Sequence, residues 1–335
     1  MFNKIYDAIK NFIIDNYKFL IAWLIILFLF FYELPYVIYT PGGIVNLEDR
    51  IVVNGEEDIT GGSLNMSYVS LVKGTLPMIL LSYCLPNWDL VKSSEITAPD
   101  ESVDELLELE KLYMQSSIDN ATILAYEKAG KELNITREVN NIVYISDDAD
   151  TDLEIYDELL TADGIEVNDV AELREIVNSK NEGDTITFLV NRNGKEKECS
   201  AKIYNTEDGL KVGVSFLMTY EYETNPEISV ATKASESGSS GGLMLTLAIY
   251  NAITDEDITK GRTIVGTGTI SLDGTVGSID GVKYKILGAV KSDAEIFLCP
   301  MENYEETLSV KEEFDLDIEI HGVATFDEAL EYLEN

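Results

Sequence analysis

Residues 234–245, with the sequence ASESGSSGGLML, are the first stretch whose residue types could support catalysis. The glycines and serines are typical of a flexible linker, yet the stretch runs directly into an apolar segment from Leu243 that is long enough for a buried helix. The preceding residues 226–232 alternate in polarity as a strand does. A glycine-rich turn at a helix N-terminus presents free backbone amides that can stabilise an oxyanion. The stretch is therefore either a linker or a turn that holds a nucleophilic serine.

A serine hydroxyl needs a base before it can attack a carbonyl, and the first candidate base is a histidine. The letters GSSGG fit G-x-S-x-G, the nucleophile turn of α/β-hydrolases, which works with a histidine later in the chain. His321 is the one histidine of the sequence, and it does follow the serines. However, no HGGG-type oxyanion loop precedes them. An α/β-hydrolase that uses Ser240 and His321 is one hypothesis.

The second candidate base is a lysine in residues 266–290, GTGTISLDGTVGSIDGVKYKILGAV. Together with GSSGGLM, this segment resembles the proteolytic domain of the Lon family, in which the serine lies in G-P-S-A-G and the lysine ends G-G-x-x-x-K. The resemblance implies that Ser240 is the nucleophile and that Lys285, rather than Lys283, is its base. The lysine must lose its proton, which burial favours by lowering its pKa from about 10.4 towards about 7–8. The resemblance covers at least residues 207–335.

The same resemblance assigns the supporting residues of the site. The family motif T-G-x-I falls on Thr267 and the three residues after it, and the Thr267 hydroxyl would orient the lysine by a hydrogen bond. Gly238 and Gly241 would shape the serine turn, with Gly241 in the position of the family's alanine and Ser239 in that of its proline. Asp280 replaces the first glycine of the lysine motif. The site therefore departs from the family pattern at three positions.

A helix is expected earlier in the chain, where apolar residues recur at helical spacing from Val103 to Leu133, as one long or two shorter helices. Its segment LYMQSSIDNATILAY resembles the helix near the beginning of Lon proteolytic domains, with Met114 and Ser117 in the matching positions. This likeness implies that the first part of the protease domain lies in residues 40–136.

Residues 138–204 form a compact block between these two parts. A strand is expected at NNIVYIS, a turn at ADGIEV, a helix at VAELREIVNSK and a hairpin whose turn is Asn193-Gly194. The block resembles a bacterial PDZ domain, a fold that binds extended peptide ends by adding a strand to a sheet edge. It departs from that family before NIVYIS, where no clear Gly-rich carboxylate-binding loop stands. We expect a PDZ-like domain in residues 137–205, inserted in the protease domain, with a spacer that binds nothing as the alternative.

An apolar stretch near the N-terminus decides the expected location. Residues 19–32, FLIAWLIILFLFFY, carry no charge, and the apolar character continues after Glu33 for a total of about 20 residues, enough to cross a bilayer. Three lysines precede the span and Arg50 is the first basic residue after it, so the positive-inside rule keeps the N-terminus in the cytoplasm. We expect residues 1–17 in the cytoplasm, a single-pass helix over residues 18–39 in the cell membrane and an extracytoplasmic catalytic domain. A signal peptide is the alternative, but no small-x-small cleavage site follows.

Composition excludes several other functions. The 335 residues carry 24 Lys and Arg against 61 Asp and Glu, a formal net charge of −37, which repels nucleic acid. The three cysteines, at positions 84, 199 and 299, are too far apart in sequence for a zinc site or a redox pair and are expected to be buried or partly buried thiols. The sequence contains no G-x-x-x-x-G-K-[ST] phosphate loop, so no nucleotide is expected. It predicts neither a metal nor a cofactor.

These observations predict an α+β chain with an N-terminal transmembrane helix and a Lon-type proteolytic domain, residues 40–136 and 206–335, that contains a PDZ-like insert. The expected function is that of an ATP-independent, membrane-anchored serine endopeptidase whose Ser240–Lys285 dyad cleaves misfolded or secreted proteins captured by the PDZ-like domain. Since Lon-type domains often form rings, the resemblance also implies a homo-oligomer. The alternative is a PDZ adaptor with a decayed protease domain, supported by Ser239 and Asp280 at the motif positions.

Overall fold

The computed structural model describes residues 2–57, 61–97, 102–167, 170–207, 209–233, 235–254 and 256–335. Helices and strands are mixed along these ranges, and the strands form two six-stranded sheets together with smaller ones. The expected α+β fold class is confirmed.

The chain begins with a long apolar helix, α1 (Phe2–Phe31). Its most apolar window of 18 residues has a mean hydropathy of 1.9 and contains no buried residue, so by length and composition the helix could cross a membrane. The helix ends earlier than the expected span of residues 18–39. Pro35 has no amide hydrogen with which to continue a helix, and the next residues form the strand β1 (Glu33–Asn46). Val37 and Ile38 of that span are apolar because they lie in the core of a sheet.

The remainder of the N-terminal part contains four further strands and one short helix. They are β2 (Ile51–Val53), β3 (Glu56–Glu57), β4 (Ser63–Thr75), α2 (Leu76–Ser82) and β5 (Asp89–Lys92). Strand β1 lies between β4 and β5 and pairs antiparallel with both.

Helix α3 (Val103–Lys128) is one long helix rather than two. Ser102 and Glu105 form a capping box at its start, and Gly130, with a φ of 61°, follows its end in the left-handed conformation that glycine favours. The expected extension to Leu133 is wrong, because Leu133 lies in the next strand, β6 (Glu132–Ile145).

The block that follows forms a sheet and a core of its own. Besides β6 it comprises β7 (Glu158–Ala162), β8 (Ile165–Glu166), α4 (Val170–Asn178), β9 (Thr185–Arg192), β10 (Lys195–Lys202), β11 (Tyr204–Thr206), β12 (Gly209–Lys211) and β13 (Val214–Asn225). The strand order is β10-β9-β7-β6-β13, with β8 beside β7. The expected hairpin between β9 and β10 is confirmed, and Asn193 and Gly194 have the positive φ, 53° and 77°, that its tight turn requires.

The C-terminal part returns to the main sheet. It comprises β14 (Ile228–Val230), α5 (Gly242–Ile253), β15 (Thr263–Gly266), β16 (Thr269–Ile270), β17 (Val276–Gly277), α6 (Val282–Lys291), β18 (Ile296–Pro300), α7 (Tyr304–Glu313), β19 (Glu319–Val323) and α8 (Phe326–Glu334). The main sheet has the order β19-β18-β15-β4-β1-β5. Strand β4 from before the block pairs in parallel with β15 from after it, with Leu64 opposite Ile264. Because one sheet is built from both sides of the block, the block is an insertion.

A buried carboxylate connects the insertion to the part of the protein that contains the main sheet. Strands β6 and β13 pair along their whole lengths and run from the core into the block. Asp119 of α3, 1% exposed, accepts hydrogen bonds from the Tyr220 backbone N–H at 2.9 Å and from the Gln115 side chain at 2.8 Å. Burial raises the pKa of Asp119, and these hydrogen bonds oppose that rise. The β6–β13 pair is therefore tied to the helix that also packs against α5.

One expectation about the cysteines is wrong. Cys199 and Cys299 are buried, but Cys84 is exposed. It follows α2 in a stretch where Tyr83 and Leu85 are exposed as well. Its neighbours therefore do not pack over it as they would in a core.

Candidate active site

Ser240 lies in the turn between β14 and α5, directly before Gly241, the N-cap of that helix. Two hydrogen bonds clamp the turn to the loop that follows β15. The Gly268 N–H donates to the Ser240 carbonyl at 2.8 Å, and the Leu243 N–H donates to the Gly268 carbonyl at 3.0 Å. The serine is therefore held in place from the C-terminal half of the domain.

Helix α3 holds the other side of the turn. The Gly238 N–H donates to the Glu110 carbonyl at 2.8 Å, and the Ser117 hydroxyl donates to the Ser239 carbonyl at 3.1 Å. Ser117 is one of the residues whose type and place suggested the first part of the protease domain. With both sides fixed, residues 238–241 form an ordered turn and not a flexible linker.

Glycine suits this turn for two different reasons. Gly238 has a φ of 91°, a conformation that other residues rarely adopt. A Cβ on Gly241 would lie 2.8 Å from the Met66 sulfur, so a side chain there would force the neighbour to move. Within the described part of the chain, the backbone N–H groups of Ser240 and Gly241 donate to no other group. These amides are available to an oxyanion.

Lys285 lies on α6 and reaches the serine turn through Thr267. The Lys285 ammonium donates to the Thr267 hydroxyl at 3.2 Å, and that hydroxyl donates to the Ser240 carbonyl at 3.0 Å. Both Lys285 and Thr267 are buried, at 4% and 0% exposure. Among the described residues, no hydrogen bond joins the Ser240 hydroxyl to Lys285 directly. Contacts between catalytic groups often close only when substrate is bound.

Burial lowers the pKa of Lys285 from 10.5 to about 8. The carboxylates of Asp280 and Glu110 oppose this shift, because a nearby negative charge favours the ammonium form. At this pKa a substantial fraction of Lys285 is neutral just above neutral pH. A neutral, buried amine beside a serine is able to act as a general base.

Two residues near the lysine were not found from the sequence. Glu110 comes from α3, and Tyr39 comes from β1, where its ring stacks on Tyr284 with the centroids 5.7 Å apart. Burial raises the pKa of Tyr39, and the charges of Asp280 and Glu110 raise it further. Tyr39 and Lys285 therefore experience the same two carboxylates. No local motif could have indicated that Glu110 and Tyr39 lie near Lys285, because long-range packing of strands and helices brings these groups together.

A cleft of about 1030 Å³ opens in front of Ser240. Polar and apolar residues both line it. The apolar ones come from β1, β4 and α3, with Gly238 and Gly241 at one side: Ile44, Val45, Met66, Val69, Leu71, Leu107 and Met114. An ion pair lines the cleft beside the serine turn, in which Arg50 and Glu236 approach to 2.6 Å with their side chains 15% and 13% exposed. Strand β15 pairs with β4 only up to Met66, so the described structure leaves that edge of β4 open from Ser67 to Leu71.

The structure does not bring His321 to Ser240. His321 pairs with Leu298 on β18, which pairs with Gly266 on β15, so it lies two strands, about 10 Å, from the start of the loop that holds Ser240. Its ring stacks on Tyr332 at 3.7 Å. Lys283 is also placed elsewhere: its ammonium binds Asp89 at 2.8 Å.

A second cleft lies in the inserted block. It has a volume of about 840 Å³ and is bounded by α4, by β12 and by the start of β13. Leu173, Val177 and Phe216 are among its apolar lining residues, and its charged lining residues are Arg174, Lys211 and Asp148. The arrangement of a helix beside a strand suits an extended peptide.

Comparison with known proteins agrees with these two units. Residues 226–334 match the family model of the Lon protease (S16) C-terminal proteolytic domain, and residues 135–203 match that of the PDZ domain. The Lon protease of Campylobacter jejuni is 35% identical over 98 residues, which are 29% of this chain and 12% of the relative. Lon protease 1 of Thermus thermophilus is 36% identical over 98 residues, again 29% of this chain and 12% of the relative.

Among solved structures, the PDZ domain of an SdrC-like protein from Listeria monocytogenes is 20% identical, and the match covers 25% of this chain and 93% of that domain. The TM-score of this match is 0.23. The family matches confirm both resemblances inferred from the sequence. The chain carries a Lon-type proteolytic domain, which is a serine peptidase domain, and a PDZ domain, while the match spans only 12% of the length of either Lon relative.

Proposed function

We propose that this chain is a membrane-anchored serine endopeptidase in which Lys285 takes the proton of Ser240. The observation that carries the proposal is the placement of Lys285, which is buried, has a pKa lowered to about 8 and is linked through Thr267 to the Ser240 backbone. A buried lysine without such a task would be a destabilising feature of the core.

The chemistry follows from the positions of these groups. As Ser240 Oγ attacks the scissile carbonyl carbon, its proton passes to Lys285 Nζ and the carbonyl oxygen becomes negative. The free N–H groups of Ser240 and Gly241 stabilise that oxygen. The C–N bond then breaks, and the leaving amine takes the proton from Lys285. Water attacks the acyl-enzyme in the same way, again with Lys285 as the base, and releases the second product.

The substrate is proposed to be a peptide segment in an extended conformation. The open edge of β4 between Ser67 and Leu71 offers backbone groups to an added strand, and the apolar residues among those that line the cleft would receive alternate side chains. The cleft of the PDZ domain would capture the protein from which that segment comes. Such substrates are poorly folded or secreted proteins, because a folded chain does not present an extended strand.

Helix α1 is proposed to anchor the protein in the cell membrane, with the N-terminus in the cytoplasm and both domains outside. Its support is the length and hydropathy of the helix together with the three lysines in its N-terminal part, which come before the uncharged residues 19–32. Protease added to intact cells should digest the chain beyond β1. A chain that stays protected until the cells are lysed would reverse the orientation.

Cleavage of casein by the full-length protein in detergent tests the enzymatic proposal. We expect activity without ATP, no increase when ATP and Mg²⁺ are added, and no activity in Ser240→Ala or Lys285→Arg, since a guanidinium stays protonated. Lys283→Arg is the matched control and should retain activity, as should His321→Ala. Activity that survives Ser240→Ala would refute the proposal. Casein that is bound but never cleaved by the unmutated protein would instead favour the adaptor hypothesis.

A further inference from the structure

A stretch without charge leaves the main sheet beside the end of the apolar helix α1. Residues 76–88, LPMILLSYCLPNW, which comprise α2 and the turn after it, lie between Lys73 and Asp89 and contain no ionisable acid or base other than Tyr83 and Cys84. In a chain in which 25% of the residues are charged, about three charges would be expected in a run of this length. We call this stretch the 76–88 segment.

Five large side chains of the 76–88 segment are exposed. Ile79 and Ser82 are the buried residues of α2. Met78, Leu80, Leu81, Tyr83 and Leu85 are all exposed, Leu80 at 60% and Tyr83 at 78%. Exposed apolar side chains so close together indicate a contact with something apolar, whereas scattered ones do not.

The sheet register places the 76–88 segment at the level where α1 leaves the protein. Glu33, the first residue of β1, pairs with Thr75, the last residue of β4, so α1 ends where the segment begins. Helix α1 also contacts α2 and β4. If α1 crosses a bilayer, the exposed apolar residues of the segment lie at the surface of that bilayer.

We propose that the 76–88 segment is a second membrane contact, which enters the interfacial region of the bilayer beside the anchor. This proposal rests on the anchoring role given to α1 above. A lipid surface is the occupant that the position favours, because the segment continues the apolar surface of α1. Trp88 and Tyr83 carry apolar rings with a polar atom, the side-chain type enriched at membrane interfaces.

A second membrane contact would fix the distance between the catalytic cleft and the membrane surface. The open edge of β4, Ser67–Leu71, lies four to eight residues from Thr75, which corresponds to about 13–26 Å along the strand. Contact through both α1 and the segment would prevent the sheet from tilting about a single helix. The protease would then cleave chains within that distance of the membrane.

The two tryptophans of the chain, Trp23 in α1 and Trp88 in the segment, allow a direct test with the full-length protein. Trp23→Phe leaves Trp88 as the reporter, and Trp88→Phe leaves Trp23. Each variant is placed in phosphatidylcholine vesicles with or without bromine on the acyl chains, which quenches nearby tryptophan. We expect both reporters to lose at least a third of their fluorescence. A quenched Trp23 with an unquenched Trp88 would overturn the inference and leave the anchor intact.

If neither tryptophan is quenched, the anchor is wrong and the inference falls with it. If Trp88 alone is quenched, the segment binds lipid without an inserted helix, and only the anchor fails. Because Trp88 is partly buried, the variant Trp23→Phe/Trp88→Phe/Tyr83→Trp provides a reporter at a more exposed position, and we expect it to be quenched more strongly than Trp88.

The last experiment introduces a charge into the 76–88 segment and measures its effect on the quenching of Trp88. In the Trp23→Phe background, Leu80→Glu should reduce the quenching of Trp88 at least twofold. Ile165→Glu, at an exposed apolar residue of the PDZ domain, is the matched control and should leave it unchanged. Quenching that responds equally to both variants would contradict the proposal. So would a Trp88 signal that ignores the bromine but changes when the protein is diluted in the vesicles, since that result would place a second copy of the chain on the segment.

Discussion

Replacement of Lys285 by methionine should abolish peptide hydrolysis and at the same time stabilise the fold. Methionine is unbranched and of similar length, so it fills the same space without a charge. If the lysine is retained for catalysis, its charge is a cost to the folded protein that the methionine variant no longer bears. Loss of activity alone would also follow from misfolding, whereas loss of activity with a gain in stability would not.

The size of the gain follows from the pKa of Lys285. That pKa falls from 10.5 to about 8, and each unit corresponds to about 1.4 kcal/mol, so the variant should gain about 3 kcal/mol at pH 7. Between about pH 8 and 10.5 the unfolded chain holds more protons at this residue than the folded one, so the stability of the unmutated protein rises with pH across that window. The advantage of Lys285→Met should therefore shrink to less than about 1 kcal/mol at pH 10.

Denaturant unfolding followed by circular dichroism, for both proteins in the same detergent at pH 7 and pH 10, measures this difference. The stability of Lys285→Met is compared with that of the unmutated protein because a chain with two domains and a helix in detergent need not unfold in one step. A variant that is less stable than the unmutated protein at pH 7, or whose advantage does not change with pH, would refute a buried lysine with a lowered pKa.

Three further predictions concern the groups around this lysine and the inserted domain. Thr267→Val removes both hydrogen bonds of the Thr267 hydroxyl and should lower kcat about 100-fold, whereas Thr267→Ser should keep kcat within a few-fold of the unmutated protein. Equal losses in the two variants would contradict a positioning role for the hydroxyl. Asp280→Asn should shift the pH dependence of activity to lower pH, because the Asp280 carboxylate raises the pKa of Lys285. An unshifted profile would show that solvent screens the charge of Asp280 from Lys285. The PDZ domain can be excised by joining Asn140 to Met218 through an Asn-Gly turn, because these two residues are paired in the sheet. This variant should turn over casein about tenfold more slowly and hydrolyse a short peptide at a rate within a few-fold of the unmutated protein. Equal loss on both substrates would indicate a structural role for the insert.

The residues of the site could be predicted from the sequence where a local turn or helix places them. Gly238, Ser240 and Gly241 lie in one turn, and Thr267 and Lys285 lie in a loop and a helix close to each other in the chain. Local conformation sets the spacing of these residues, so short sequence motifs are enough to predict them.

The rest of the site depends on long-range packing, which leaves no local signal. Glu110 approaches Lys285 because α3 packs against α5, and Arg50 reaches Glu236 from the other end of the chain. The open edge of β4 depends on where β15 stops pairing, which hydropathy does not encode.

The end of α1 at Phe31 differs from the expected end of the span for a related reason. Apolar residues in a membrane helix and in a buried strand look alike in a hydropathy pattern, so the pattern extends the expected span over Val37 and Ile38, which lie in a buried strand. The position of Pro35 was the available signal against it.

The pH dependence of kcat/KM for a short peptide substrate tests the central claim most directly, because it reports the pKa of the base in the free enzyme. With Lys285 as that base, activity should rise with pH through an apparent pKa of about 8, the value that burial gives this lysine. His321→Ala should leave the profile unchanged. A rise through about 6.5, the usual pKa of histidine, that disappears in His321→Ala would contradict the Ser240–Lys285 mechanism.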